Sequence, residues 1–169
     1  MGQAFKPVFL AEDSDTVTGH LSPGISYKLA EHAYLGSWFV AEVKRILTTP
    51  TRIAWVGDYG EYNDTEPGTE PPANLYKLAD DLPETPVPDI APGRYLINHD
   101  RRVYLLLDND TREDFDVPHP LPALTVLSGA DIESSFDTAH QVGSWARQRI
   151  SVADTAPTGY TAIEFHAWF

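Results

Sequence analysis

Proline and turn residues break this chain into short apolar runs, and that fragmentation limits the folds open to it more than any other feature. Of its fourteen prolines, four fall within LPETPVPDIAPG, and the stretch GEYNDTEPGTEPP is too polar for a packed element. Both read as surface loops, over 60–72 and 81–93, the second kept extended by its prolines. The runs left between the breaks are brief. Residues 52–56 (RIAWV) are β-branched and aromatic and are closed by Gly57-Asp58, a strand ending in a turn. Residues 95–97 and 103–107 flank Asn98-His99-Asp100-Arg101, which is hairpin chemistry. Residues 109–122 read as another polar, proline-containing connection, and residues 123–127 as a further strand. VGSWARQRISV is open between helix and strand, and the alternation of Ile163, Phe165, Ala167 and Phe169 fits a half-buried strand.

One segment has helical period. From 26 to 49, Leu35, Phe39, Val43, Ile46 and Leu47 follow the spacing of one helix face. Gly36-Ser37 can divide it, with Ser37 capping a fresh N-terminus, Lys44 and Arg45 suiting the negative C-terminal end, and Pro50 stopping it. A short helix over 73–80 is also expected. Residues 1–24 are mixed and turn-rich and read as a leading arm that ends in Ser22-Pro23-Gly24. These elements predict an α+β fold: a single domain over 1–169 with a largely antiparallel or mixed sheet of five to six strands and one main helix. A length of 169 residues with 42% apolar content suits one core.

Several classes are disfavoured by what is missing. The start MGQAFKPVFLAEDSD lacks a basic stretch followed by an apolar one, and no apolar run is long enough to span a bilayer, so a cytoplasmic protein is expected. Lys6 stands where a myristoylation signal requires Ser or Thr. With no cysteine, thiolate chemistry, iron–sulfur clusters and disulfides are excluded. No P-loop, dinucleotide fingerprint, nucleophile elbow or zincin motif is present, and no cofactor is expected. Asp108-Asn109-Asp110 resembles the start of a calcium loop, but Glu113 stands where glycine is required and His119 where the terminal glutamate belongs.

Charge is the strongest pointer to function. The formal net charge is −13 with twelve Lys and Arg, which disfavours nucleic acid, since each phosphate contact needs a cation. Nine acidic residues against Lys77 alone fall between Asp58 and Asp89. Such a run is ordinarily a solvated face that keeps a protein soluble; the sharper readings are a docking surface for a basic protein partner or a mimic of nucleic-acid charge. The residues that would meet the partner are Tyr59, Glu61, Tyr62, Asp64, Glu66 and Glu70.

A second reading rests on Glu31, His32, Asp58, His99 and His119, each at the end of an expected element or in a turn, where functional side chains concentrate. Imidazoles with carboxylates suit a divalent metal and a hydrolytic water. No pair has the spacing that fixes two ligands on one element, and each residue also has a structural reading. His32 packs at a helix edge, His99 caps a hairpin, and His119 is held between two prolines. Asp58, at the end of Trp55-Val56-Gly57-Asp58-Tyr59, is either a strand-end general base or the residue that closes the turn.

The order of Glu31-His32-Ala33-Tyr34, Trp55-Val56-Gly57-Asp58-Tyr59, Ile97-Asn98-His99, His119-Pro120-Leu121-Pro122 with Leu124-Thr125, and Val142-Gly143-Ser144-Trp145-Ala146 resembles a family of small proteins of gut-type bacteria and their phages, itself uncharacterised. The likeness covers about residues 28 to 152. It implies a phage or mobile-element context and carries no activity. Family members have a glycine-rich stretch after the Leu-Thr pair, where SGADIESSFDTAHQ here keeps only Gly129.

Two functions therefore stand open: a non-enzymatic protein-binding or regulatory module using its acidic surface, and a metal-dependent hydrolase. Chelator should destabilise the second and leave the first unchanged, whereas salt should release the partner of the first.

Overall fold

The run at 52–56 becomes β4 (Thr51–Gly57), and its alternation defines the two faces of the sheet around it. Ile53 and Trp55 point to one face and Ala54 and Val56 to the other, all four fully buried. A strand covered on both sides loses the polar alternation of a surface strand, which is why the run reads as continuously apolar. The structure is a computed structural model that describes residues 3–24, 27–59, 74–107, 112–127 and 141–165.

In chain order the elements are β1 (Phe5–Leu10), β2 (Val17–His20), α1 (Leu29–His32), β3 (Tyr34–Leu35), α2 (Trp38–Ile46), β4, α3 (Leu75–Asp80), β5 (Tyr95–Asn98), β6 (Val103–Leu106), β7 (Asp114–Pro118), α4 (Pro120–Thr125), β8 (Arg149–Ala153) and β9 (Thr161–Ala162). Seven strands form one sheet in the order β2-β1-β4-β8-β5-β6-β9, and β3 pairs with β7 apart from it. Every pairing is antiparallel except β6 with β9, so the sheet is mixed. The α+β class is as expected, with a larger sheet and four short helices in place of one main helix.

One face carries the larger core. Phe9, Ile53, Trp55, Leu96, Leu105, Ile150 and Val152 of the sheet meet Leu29 of α1, Phe39, Val40 and Val43 of α2, Leu121 and Leu124 of α4, and Trp145. On the opposite face Val8, Leu10, Ala54 and Val56 meet Leu75 and Ala79 of α3. Burying each such aliphatic or phenyl side chain contributes about 1.5–3 kcal/mol, so β4 is where most of the stabilisation converges.

The 26–49 helix is divided where Gly36-Ser37 predicts. Ser37 Oγ accepts the Val40 N–H at 3.4 Å and opens α2, with Lys44 and Arg45 in its last turn. Gly36 has φ +79, and a Cβ there would lie 2.6 Å from Glu113 Cα, so glycine is required both for the turn and for the approach of β7. The hairpin is as read, with Asn98 opposite Val103 and Tyr95 opposite Leu106. The ambiguous run resolves into a turn over 141–148 followed by β8.

Three expectations are corrected. Residues 1–24 are not a leading arm: β1 lies inside the sheet between β2 and β4, and all six of its residues are buried. Residues 123–127 are not a strand, because His119 caps α4 with Pro120 at the first helical position, where a missing N–H costs nothing. Only Val126 then joins the sheet, by a bridge to Trp55. The connection from 109 to 122 is not wholly irregular, since it contains β7. The 81–93 stretch is a loop beside β2, tied by the Thr85 N–H to the His20 carbonyl at 2.8 Å. The 60–72 loop and the alternating positions Ala167 and Phe169 lie outside the described residues.

Candidate functional site

The five histidine and acid candidates occupy separate places, and the chemistry of each is set by its neighbours. His32 is buried, and its Nδ1 lies 2.8 Å from the Lys28 carbonyl while its Nε2 lies 2.9 Å from Trp55 Nε1. A carbonyl only accepts and an indole N–H only donates, so the proton sits on Nδ1 and Nε2 is the acceptor. The ring stacks on Trp55 at 5.9 Å and meets Phe39 edge-on. Burial pushes its pKa down to about 4, only partly offset by the Lys28 carbonyl. His32 is thus a neutral core residue with both nitrogens committed.

His119 is fully buried, and its Nδ1 accepts the Leu121 N–H at 3.0 Å. Its backbone N–H donates to the Ala33 carbonyl at 2.7 Å, which brings α4 and the end of α1 together. Glu31 accepts the Lys28 N–H at 2.7 Å and closes the first turn of α1. Asp58 accepts the Ala4 N–H at 2.9 Å, and its own N–H returns to the Ala4 carbonyl, so it locks the end of β4 to the residue before β1.

His99 has the richest polar surroundings of the five. Its Nε2 lies 2.7 Å from Ser151 Oγ and its Nδ1 3.1 Å from Tyr160 Oη. Burial lowers its pKa, the Arg149 charge lowers it further, and Asp100 works against both. Arg149 grips Asp100 through Nε at 2.8 Å and its backbone N–H at 2.9 Å. Burial acts to raise the Asp100 pKa, but the hydrogen bonds and charge of Arg149, with Arg52 behind it, outweigh burial and hold the carboxyl below its usual range. Arg102 lies over the Tyr160 ring at 4.8 Å.

His99 is level with Arg52 at the start of β4, because its N–H pairs with the Arg149 carbonyl and Arg149 faces Arg52. Asp58 stands six residues further along, about 20 Å at the rise of a strand. His99 and Asp58 therefore do not meet. Among the described residues no group of three or more His, Asp or Glu side chains is placed to hold a metal ion.

Arginines gather at the start of β4, where Asp15 and Asp100 pair with them. Arg52 binds the Ala11 and Ser14 carbonyls and Asp15, and Arg147 approaches Asp15 at 3.4 Å. Arg101 reaches Gln148 and the Ser144 carbonyl. Five of the twelve basic residues, Arg52, Arg101, Arg102, Arg147 and Arg149, thus gather where β4 begins and the hairpin turns. Near the end of β4 stand Asp58 and, from α3, Asp80. Lys6 is buried on the α3 face, pairs with Asp80 at 2.5 Å and lies 4.1 Å from the Tyr76 ring centroid. Burial, then the charges of Asp80 and Asp58, raise the pKa of the Tyr76 hydroxyl, so two acids 22 positions apart act on one group. Asp81, Glu84 and Asp89 are exposed, and Tyr59 is 63% exposed. Glu61, Tyr62, Asp64, Glu66 and Glu70 lie outside the described residues.

The sequence reading missed Lys6, Tyr76 and Asp80 as a group, and Ser151 and Tyr160 as partners of His99. These contacts join residues 52 to 74 positions apart, and no local spacing signals them. No described helix is long and apolar enough to cross a membrane. No family model, curated protein or solved structure matches the chain significantly.

Proposed function

We propose that the chain is a non-enzymatic binding or regulatory module whose acidic 58–89 surface docks a protein partner with a basic face. The observation that carries this is that the charges of Asp80 and Asp58 both act on Tyr76, while Asp81, Glu84 and Tyr59, neighbours of these residues along the chain, are exposed. An acidic face attracts a basic partner within the screening length of physiological salt and steers its approach.

The metal-dependent hydrolase reading draws no comparable support. Two of its three imidazoles have backbone-bonded structural roles, and its carboxylates close turns. The likeness to small phage-associated proteins makes a phage-borne modulator of a host system the natural setting for such a module.

The test is capture of basic proteins at low salt by the wild-type chain and by a variant carrying Glu61→Lys, Asp64→Lys, Glu66→Lys and Glu70→Lys. Capture that salt releases and that the variant loses supports the proposal. Capture that survives charge reversal refutes it.

A further inference from the structure

Two of the most exposed large apolar side chains, Trp38 and Phe115, are each 62% exposed, and the segments that carry them meet where Gly36 packs on Glu113. Trp38 opens α2 two residues after Gly36, whose backbone lies against Arg112 and Glu113 at the start of β7, and Phe115 follows in β7. Neither ring is loose. Phe115 rests on Tyr34 at 4.6 Å, and buried Tyr34 is anchored by its hydroxyl donating to Glu113 at 3.3 Å. Trp38 meets the fully buried Phe39 edge-on at 5.9 Å.

Acids neighbour both rings along the chain. Glu113, Asp114 and Asp116 flank Phe115 in sequence, and Glu42 stands one helical turn beyond Trp38; the bases beside them are Arg112 and, a turn beyond Glu42, Arg45. Consecutive residues Tyr34 and Leu35 pair with Pro118 and Asp114, so the three residues between those two bow out opposite no residue of β3. The corner offers fixed aromatic faces and carboxylates together, which repels anions and suits a planar cation.

We propose that the Trp38–Phe115 corner docks an arginine-bearing segment of a partner protein. The guanidinium stacks on an exposed ring while its N–H fork meets the neighbouring carboxylates. Arginine fits better than lysine because it is planar, more weakly hydrated, and able to stack and to bind carboxylate bidentately at once. This surface is separate from the 58–89 stretch and stands whether or not that stretch binds.

The experiment measures binding of a fluorescent, short alternating arginine–glycine peptide to the full chain at low salt, by anisotropy. Phe115→Ala and Trp38→Ala leave the charge unchanged, and their exposed rings make little core, which circular dichroism checks. Each is expected to weaken binding about fivefold, Asp114→Asn with Asp116→Asn is expected to weaken it further, and the lysine–glycine peptide is expected to bind less tightly than the arginine one. Absence of binding, equal affinity for the two peptides, or unchanged affinity in both aromatic variants overturns the proposal. The last result would assign the binding to the general acidic field.

Discussion

Replacing His32 by glutamine tests the reading of His32 as a neutral core residue. Gln can still donate to the Lys28 carbonyl and accept from Trp55, but it does not titrate. In the wild type the folded ring has a pKa of about 4 against an ordinary value of 6.5. Below pH 6.5 the unfolded chain takes up a proton that the folded chain refuses, so stability falls as pH falls and levels off once the folded pKa is passed. Between pH 7 and pH 5 the loss from this one group is about 2 kcal/mol. His99 and every other titrating group are common to both proteins and cancel in the comparison. Urea unfolding at the two pH values, followed by tryptophan fluorescence, gives the difference. The wild type is expected to lose about 2 kcal/mol more than His32→Gln over that interval. Equal losses would mean that His32 is not held neutral against Trp55, and the structural role given to it would be wrong.

Other perturbations follow from the same contacts. Gly36→Ala places a Cβ against the Glu113 backbone at a positive φ, and is expected to lower stability by about 2 kcal/mol and to expose the β3–β7 amides to hydrogen exchange. Asn98 is fully buried, accepts the Asp100 and Arg101 N–H groups and donates to Gln148, so Asn98→Ala is expected to cost about 2–3 kcal/mol by urea unfolding. Ser37→Ala removes the α2 cap and is expected to cost about 0.5–1 kcal/mol in the same assay, at the low end because that hydrogen bond is long.

Local chemistry was legible in the sequence, and long-range satisfaction was not. The Asn98–Arg101 turn and the Ser37 cap depend on neighbours within four positions, and both stand as read. β1 was hidden by Lys6 and Pro7, which interrupt an otherwise apolar run. Lys6 tolerates burial because Asp80, far along the chain, neutralises it. Pro7 tolerates a strand inside the sheet because its carbonyl faces Leu21, on the β2 side. The missing N–H would point the same way, so the ladder to β4 loses nothing. α4 was hidden by its prolines, which suggest a loop until their position in the first helical turn is seen. The candidate site was mixed for the same reason. His32 and His119 look like ligands in a string of letters, and only the carbonyls, amides and indole around them assign their lone pairs.

The central claim is that the acidic 58–89 surface is a docking face. The salt dependence of partner capture by the wild type, set against variants that add Glu61→Lys, Asp64→Lys, Glu66→Lys and Glu70→Lys one after another, tests it most directly. Basic partners are expected to be held at low salt, released as salt rises, and lost progressively as lysines accumulate. A partner retained by the four-site variant and at high salt would contradict it.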